Sequence, residues 1–391
     1  MRLRHTITFA ATALLSAIPA LIGEPASAGV DAGWTVAPPV PAPAGATDSV
    51  LRDVSVLSPS SVWAVGAWWA GKTHPLAVRW DGTAWTDLPV PDTLPPSENY
   101  NLAAVDAVTS ADVWAVGSIE SQATGTLIPS ALAVHYDGNA WTPAPATADP
   151  GATQSALADV DMRTATDGWA VGHQVVGGLP AQPLILRWAV DHFTPVSVPK
   201  IGSAARLTSV FAGDDDAWAV GSLQNAAGRQ EALVLHWDGA GWSRQTVPSA
   251  GAGDETLQSV AASGPGEVWT AGSTCPPTGT HGCAPRVLRL VRGTWQAVPT
   301  AFAATANEVV PFSATDVLIF GETTTHQDHI EHWDGVRFTT DGSVPPATGN
   351  GQPASAVALA GASGDRATGA LWAVGWTGDS LHRAPHVIYR G

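Results

Sequence analysis

DVWAVG, at residues 112–117, indicates the fold, because close variants of it recur along the whole chain. The other copies are SVWAVG (61–66), DGWAVG (167–172), DAWAVG (216–221), EVWTAG (267–272), DVLIFG (316–321) and ALWAVG (370–375). Their terminal glycines lie 51, 55, 49, 51, 49 and 54 residues apart. A period of this length is typical of repeat proteins in which each repeat is one small structural unit.

Each repeat unit has the pattern of four short strands, A to D. Strand A is a small apolar run such as LAAVDAV (102–108), strand B is the DVWAVG stretch, strand C is a run such as ALAVHYDG (131–138), and strand D opens with an aromatic residue, as in AWTPAP (140–145). Asp-Gly pairs beginning at 81, 137, 238 and 334 suit a tight reversal between strands C and D. This pattern predicts an all-β fold, a seven-bladed β-propeller with one four-stranded sheet per blade.

The two ends of the chain complement each other. The last unit stops at HVIYRG (386–391) and lacks a strand D, whereas AGWTVAPPVP (32–41) has the pattern of one. We therefore expect residues 32–41 to complete blade seven and close the ring, which removes exposed sheet edges. Fifteen of the 18 tryptophans occupy repeat positions, and Trp68, Trp69 and Trp376 remain.

The order of these motifs resembles that of kelch-type propellers, and the repeats look like the DVWAVG and HWDG repeat proteins that actinobacteria secrete. The shared features are a strand B that ends in glycine, a variable loop, Tyr-Asp or Trp-Asp near the end of strand C, and Trp at the start of strand D. The resemblance covers residues 32–391 and implies a propeller. Kelch blades typically carry paired glycines after strand B, whereas this chain has one, so it is a relative of the pattern.

The N-terminus and the cysteines predict a secreted protein. Arg2 and Arg4 precede an apolar run over residues 7–22 and the small residues at 26–28, the order of a secretory signal peptide. We expect residues 1–28 to be removed and residues 29–391 to form the propeller, with no membrane segment left. An oxidising exterior favours a disulfide between Cys275 and Cys283. Zinc is the alternative, but with His281 it would have at most three ligands.

The net charge excludes two classes of partner. The chain has 34 acidic and 18 basic residues, so its formal net charge is −16. Such a charge repels phosphate backbones and anionic lipid, which argues against nucleic-acid and membrane binding.

Charged residues recur within the blades. Strand B begins with Asp112, Asp167, Asp216, Glu267 or Asp316, and strand C ends near Arg79, His135, Arg187, His236 or His332. In blade five we expect Glu267 to face Leu290. Because an antiparallel neighbour brings both positions to the same end of a blade, four equivalent pairs indicate a structural contact and not a catalytic one.

The densest histidine cluster, HQDHIEH (326–332), raises the hypothesis of a metal site. His326, Asp328 and His329 are weak candidate ligands because their spacing matches no known site. Alternation along a strand would point His329 and His332 apart. No cofactor is expected.

The ligand site is expected on the face formed by the BC and DA loops, which are long and differ from blade to blade. The candidate residues are Trp68, Trp69, Trp376, His74, Tyr100, Asp379, His382 and Arg383. Aromatic rings beside hydrogen-bonding groups suit a carbohydrate. The alternative is that Trp68 or Trp69 extends strand B and packs between blades.

The leading hypothesis is a secreted binding module for cell-wall or environmental polysaccharide. One alternative is an extracellular lyase, hydrolase or oxidoreductase with an unrecognised site on the same face, and another is a scaffold for an extracellular protein. No Gly-x-Ser-x-Gly elbow, phosphate-binding loop or HExxH motif is visible, and no catalytic residue is assigned. A deep funnel lined with arginine and carboxylates would favour the enzyme, and tryptophans along a groove would favour the glycan.

Overall fold

The computed structural model describes most of the chain after residue 32. The described residues are 33–91, 98–121, 127–189, 191–277, 282–300, 304–323, 325, 327–342, 344, 348–349, 352–353, 356–379 and 382–391. The expected signal peptide, residues 1–28, lies outside them. Within these ranges the regular structure is entirely β, and no helix long and apolar enough to span a membrane is found among them.

The strands follow one another in short antiparallel groups. The first group contains β1 (Thr35–Val36), β2 (Asp48–Ser58), β3 (Ser61–Trp69), β4 (Thr73–Trp80), β5 (Trp85–Asp87), β6 (Glu98–Thr109), β7 (Asp112–Ser121), β8 (Ile128–Tyr136), β9 (Trp141–Pro143), β10 (Ala152–Thr164), β11 (Asp167–Val176), β12 (Gln182–Ala189) and β13 (His192–Pro195). Then come β14 (Ala205–Ala212), β15 (Ala217–Gln224), β16 (Gln230–Trp237), β17 (Trp242–Arg244), β18 (Asp254–Gly264), β19 (Glu267–Cys275), β20 (Ala284–Pro285), β21 (Val287–Val291) and β22 (Thr294–Val298). The last are β23 (Ala304–Ser313), β24 (Asp316–Thr323), β25 (Asp328–Trp333), β26 (Phe338–Thr340), β27 (Thr348–Gly349), β28 (Gln352–Pro353), β29 (Ala356–Gly364), β30 (Leu371–Gly378) and β31 (Arg383–Arg390).

These strands form seven four-stranded blades, which confirms the predicted β-propeller. Blades one to six take their strands A to D in chain order, beginning at β2, β6, β10, β14, β18 and β23. In blade five, β20 also pairs with β19, and β27 and β28 form a separate hairpin before blade seven.

The ring closes through the N-terminal strand, as predicted. Blade seven has the order β29, β30, β31 and β1, with Thr35 opposite Tyr389 and Val36 opposite Ile388. Strand A of each blade contacts strand A of the next, and β29 of blade seven contacts β2 of blade one. Trp34, beside β1, is buried and packs edge-on against Phe320 with ring centroids 5.6 Å apart.

Tryptophans fill the space between neighbouring blades. Between blades one and two, Trp63 meets Trp141 edge-on at 5.9 Å and Tyr136 at 5.0 Å between ring centroids. Equivalent apolar clusters lie at the other junctions, including the one between blades seven and one. Because aromatic rings bury large apolar areas, these contacts are a main source of the stability of the ring.

The repeated glycine of strand B has a steric cause. A Cβ on Gly117 would lie 1.9 Å from the carbonyl oxygen of Asn101 in strand A. The corresponding distance is between 1.8 and 2.1 Å at Gly66, Gly172, Gly221, Gly272, Gly321 and Gly375. A side chain there would push strand A away, so the motif requires glycine at this point of every blade.

The Asp-Gly pairs form the CD turns, as the sequence predicts. Gly82 has φ 96°, a conformation that favours glycine. The Asp81 carboxylate accepts hydrogen bonds from the Thr83 hydroxyl and from the backbone N–H groups of Ala84 and Thr83, and these lower the pKa of Asp81 to about 2. The pairs at Asp137, Asp238 and Asp334 form the same turn.

The recurring charges form contacts between strands B and C. The His135 Nε2 atom lies 2.7 Å from Asp112 Oδ1, and the His332 Nε2 atom lies 2.9 Å from Asp316 Oδ1. Blades three and four have the same contact, between Arg187 and Asp167 and between His236 and Asp216.

The expectation for blade five is wrong. Arg289, and not Leu290, faces strand B, and its guanidinium lies 2.9 Å from Glu267. The error is one of register, because Leu290 takes the position that a tryptophan or tyrosine occupies in blades one to four and in blade six. The charged partner therefore lies one residue earlier, and blade five has the same contact as its neighbours.

Candidate functional site

Four of the eight sequence-selected residues, Trp68, His74, Trp376 and Arg383, lie at the junction of blades seven and one, on the face of the BC and DA loops. This face is called the loop face below, and the opposite one the turn face. Trp68 and Trp69 end strand B of blade one, and Trp376 lies near the end of strand B of blade seven.

Trp68 faces blade seven. It packs against the apolar cluster shared by blades one and seven, which contains Ala64 and Trp372. Its ring stacks on His74, with centroids 4.2 Å apart and an interplanar angle of 16°, and its Nε1 donates a hydrogen bond to the carbonyl oxygen of Pro75. Trp68 is half-buried, so part of the indole is packed and part is reachable.

Trp376 faces blade one from the other side. Because alternate residues of a strand share one face, Trp376 lies on the same face as Trp372 and Val374, and both of these belong to the cluster shared with blade one. The Arg383 guanidinium lies 5.8 Å from the Trp376 ring, at cation–π distance. Half-buried rings from two blades therefore border the same junction.

An ion pair joins the two blades beside these rings. Arg383 donates to both carboxylate oxygens of Asp48, with Nε to Oδ1 at 3.1 Å and Nη2 to Oδ2 at 2.5 Å. Burial acts to raise the pKa of Asp48, but the hydrogen bonds and charge of Arg383 outweigh it, so this pKa lies below its ordinary value. We call Asp48, Trp68, His74, Trp376 and Arg383 the seam site.

The remaining candidates occupy different surroundings. Trp69 is 43% exposed and, by alternation, faces away from blade seven. Tyr100 is buried in the cluster between blades one and two, with the Lys72 ammonium 5.5 Å from its ring. Asp379 and His382 are exposed in the BC loop of blade seven.

Burial separates the candidate tryptophans from the others. Fourteen of the 18 tryptophans are buried. The four that are not are Trp68, Trp69 and Trp376, at or beside the seam site, and Trp237, at the end of strand C in blade four. Three of the four indole rings that solvent can reach therefore lie on the loop face, at or beside the seam site.

The structure does not bring the metal candidates together. His326 lies outside the described residues. Asp328 contacts His386 of blade seven at 3.0 Å, whereas His329 lies 3.6 Å from Glu331 on the other side of its strand. Among the described residues, no group of three His, Cys, Asp or Glu side chains could hold a metal ion.

The two cysteines form the predicted disulfide. Cys275 and Cys283 are joined with an S–S distance of 2.07 Å, across a loop that follows strand B of blade five. His281, the third ligand of the zinc alternative, lies outside the described residues.

A feature that the sequence analysis missed lies on the axis of the ring. Strand A of every blade has a bulge after the same apolar position, and the extra residue points into a central channel of about 320 Å³. These extra residues are Arg52, Ala103, Ala158, Thr208, Gln258, Asn307 and Ala360. The sequence signal was available, because a polar residue followed by valine recurs two residues after the apolar position in most strands A.

Polar side chains next to the bulges join successive blades. Asp53 Oδ2 accepts a hydrogen bond from the backbone N–H of Val105 in the next blade at 2.8 Å, and Asp159 Oδ2 does the same for Val210. At a second level, side-chain oxygens accept hydrogen bonds from backbone N–H groups of the next blade: Ser55 from Ala107, Asp106 from Met162, Asp161 from Ala212 and Ser363 from Val56.

The carboxyl groups that line the channel, and those at the second level of bonds beside it, hold protons unusually tightly. Burial, and then the nearby charge of Asp159, raise the pKa of Asp53 to about 8. Burial raises the pKa of both Asp106 and Asp159 to about 6. The pKa of Asp161 and that of Glu308 are also raised, first by burial. The channel wall therefore carries less negative charge at neutral pH than its composition suggests.

Comparisons with known proteins provide structures of related shape but no family. No protein family and no curated protein matches the sequence. The solved structures that resemble it include YjhT (12% identity, TM-score 0.46, 78% of this chain and 98% of that one). Others are an acylaminoacyl peptidase of Pyrococcus horikoshii (9%, 0.47, 85% of this chain and 52% of that one) and a sialidase of Trypanosoma rangeli in complex with 2,3-difluorosialic acid (9%, 0.47, 91% and 58%). Likeness at this level of identity does not extend to function.

Proposed function

We propose that this chain is a secreted binding module that recognises carbohydrate at the seam site. One observation carries the proposal: of the four tryptophans that are not buried, Trp68 and Trp376 border the junction of blades seven and one from its two sides. The apolar C–H face of a sugar packs on such rings, and its hydroxyl groups need hydrogen-bonding partners nearby.

The seam site offers both kinds of contact in a fixed arrangement. Trp68 is held by the His74 stack and by its hydrogen bond to Pro75. Arg383 is held by Asp48, so these charged groups are positioned before a ligand arrives. Pre-organised side chains lose little conformational entropy on binding, which favours affinity.

A polysaccharide panel tests this function. The mature chain, residues 29–391, is compared with Trp68→Ala and Trp376→Ala by affinity electrophoresis and by retention on insoluble polysaccharides. Trp237→Ala is the matched control, because Trp237 is also partly exposed but lies at the end of strand C, on the turn face. We expect both seam variants to lose at least about tenfold in affinity and the control to bind normally. Cooperative thermal unfolding verifies that each variant is folded.

The channel is the observation that favours an enzyme as the second candidate. Arg52, Asp53, Asp159 and Glu308 line it, and a carboxyl group with a raised pKa is suited to act as a general acid. Incubating each bound polysaccharide with the protein and assaying new reducing ends or unsaturated products separates the two candidates. Product formation that Asp53→Asn abolishes would replace the binding proposal with an enzymatic one. Binding only to an extracellular protein would favour a scaffold.

The proposal includes export and a kelch-type ancestry. The signal-peptide pattern of residues 1–28 and the Cys275–Cys283 disulfide support an oxidising, extracellular location. The single-glycine DVWAVG motif supports a relative of the kelch pattern similar to secreted actinobacterial repeat proteins. N-terminal sequencing of protein from the culture medium tests export, and a first residue of Gly29 is expected.

A further inference from the structure

Arg52 is a cation in the central channel that has no partner among the described residues. It is the extra residue of the bulge in blade one, and its side chain is exposed to the channel. No described residue forms a hydrogen bond or an ion pair with its guanidinium. The charges that act on it from a distance are Arg383, which repels it, and Glu120, which attracts it.

The surroundings of Arg52 leave its charge open to a negative ligand. Asp48 is engaged by Arg383, and Arg383 carries the same charge as Arg52 and repels it. Burial by the channel wall and the charge of Arg383 lower the pKa of Arg52. An exposed guanidinium without a counter-charge among the described residues can form charge-assisted hydrogen bonds with an anion.

The surrounding wall suits a ligand that carries hydroxyl groups as well as one negative charge. Gln258 is exposed to the channel and makes no side-chain hydrogen bond to a described residue. Asn307 donates from Nδ2 to the carbonyl oxygen of Leu359, so its own carbonyl oxygen can accept. Burial raises the pKa of Asp53 to about 8 and also raises the pKa of Glu308, so the channel wall repels an anion less than its carboxyl groups suggest.

Size and charge limit the ligand further. A volume of about 320 Å³ lies at the small end of ligand pockets, which suits one sugar unit and not a folded chain. The net charge of −16 disfavours dense polyanions. One free guanidinium matches one carboxylate, which it can hold through two parallel hydrogen bonds.

We propose that the central channel is a subsite for the carboxylate of a single uronic acid unit, held by Arg52. The inference rests on the proposed carbohydrate function and names its substrate class, a glycan with isolated acidic sugars. The charges of Arg383 and Glu120 act on Arg52, and both residues lie on the loop face. We therefore infer that the subsite opens on the same face as the seam site.

Calorimetric titration with paired probes tests this subsite. The first pair of probes is glucuronic acid and glucose. The second pair is a xylo-oligosaccharide with one glucuronic acid substituent and the same oligosaccharide without that substituent. Arg52→Gln removes the charge and keeps hydrogen-bonding capacity. Arg206→Gln is the matched control, because Arg206 is another exposed arginine of a strand A, but its Nη1 atom already contacts His173 at 2.5 Å.

We expect the uronate probes to bind the unmodified protein about tenfold or more tighter than the neutral ones, the size of one charge-assisted hydrogen-bond pair. Arg52→Gln should abolish this preference and leave neutral binding unchanged, whereas Arg206→Gln should keep it. Because Arg52 makes no hydrogen bond to the described residues, Arg52→Gln should unfold at the temperature of the unmodified protein or above it.

The outcomes separate the subsite from the proposed function. Equal affinity for uronate and neutral probes, or an unchanged preference in Arg52→Gln, overturns the subsite while neutral binding through Trp68 and Trp376 keeps the function. Arg52-dependent uronate binding in a protein whose Trp68→Ala and Trp376→Ala variants bind normally supports the subsite and overturns the seam site.

Discussion

Asp53 illustrates how a single side chain can connect two blades. Its two oxygens accept the backbone N–H groups of Val54, in its own strand, and of Val105, in the next blade. The bulge of strand A frees these N–H groups from the ladder, and an unpaired buried N–H would cost about 1–3 kcal/mol. The carboxyl group therefore stabilises the ring, but its proton is held more tightly than in an exposed aspartate.

We expect Asp53→Asn to flatten the pH dependence of stability. The folded pKa of Asp53 is about 8 and its ordinary value is 3.8, so between these values the folded chain keeps a proton that the unfolded chain releases. This stabilising contribution is complete below the ordinary value and is lost as the pH rises towards 8. Thermal unfolding between about pH 5 and about pH 8 should show a fall for the unmodified protein and a smaller fall for the variant.

Asp137→Asn is the control for this experiment. Asp137 lies in an exposed CD turn, where the backbone N–H groups of Ala140 and Asn139 lower its pKa. It therefore titrates below the range of the experiment and should not change the slope. Identical slopes for Asp53→Asn and the unmodified protein would show that Asp53 does not hold its proton as described.

At the scale of the strand, the paired charges of strands B and C act as clamps. Asp112 accepts hydrogen bonds from both Trp114 Nε1 and His135, and the imidazole stacks on the indole at 4.2 Å. The same arrangement recurs for Asp216, Trp218 and His236, with the ring centroids 4.0 Å apart. A contact that supports every blade is expected to recur at equivalent positions, whereas a single active site is not. The recurrence therefore indicates a structural role.

A double-mutant cycle on Asp112→Asn and His135→Ala tests the clamp. Because both side chains are partly exposed, we expect a coupling free energy of only about 0.5–1 kcal/mol in chemical denaturation. Polysaccharide binding should be unchanged, since the clamp lies on the turn face. Loss of binding or of any turnover with full stability would reassign the pair as functional.

Ring closure by β1 predicts an unequal effect of two neighbouring substitutions. Trp34 is 4% exposed and contacts blade six through Phe320, whereas Val36 is 45% exposed. Trp34→Ala should lower the free energy of unfolding by about 3–5 kcal/mol, and Val36→Ala by about 0.5 kcal/mol or less. Denaturant titration of the two variants checks this, and equal small losses would mean that β1 does not secure the ring.

The sequence predicts the repeated strands and turns better than it predicts the residues that line the central channel. Seven glycines and the Asp-Gly turns recur because local steric and hydrogen-bond demands are the same in every blade, so strand order and closure can be inferred. The recurring polar residue before valine marks the bulges of strand A, but the lining of the channel is not evident from it, since Arg52, Gln258 and Asn307 become neighbours only when the ring forms. Strand register is also hard to predict from the sequence. At Leu290 the prediction is wrong by one residue, which places a side chain on the wrong face of the strand.

At the scale of the whole molecule, the closed ring gives its two faces different roles. The turn face carries the repeated clamps and Asp-Gly turns. The loop face carries the seam site and, by the inference drawn above, the mouth of the channel at Arg52. Because the seven blades are joined by apolar clusters and by strand A hydrogen bonds, the loops are held on a rigid support, which favours pre-organised binding.

Tryptophan footprinting in the presence of a bound polysaccharide can show whether the ligand covers Trp68 and Trp376. The protein is oxidised briefly with N-bromosuccinimide, with and without the polysaccharide, and modification at each tryptophan is measured by mass spectrometry. Trp237 is the internal control, because it is partly exposed on the turn face. The account predicts that the ligand protects Trp68 and Trp376 and leaves Trp237 reactive. A bound polysaccharide that leaves Trp68 and Trp376 as reactive as in the free protein would contradict it.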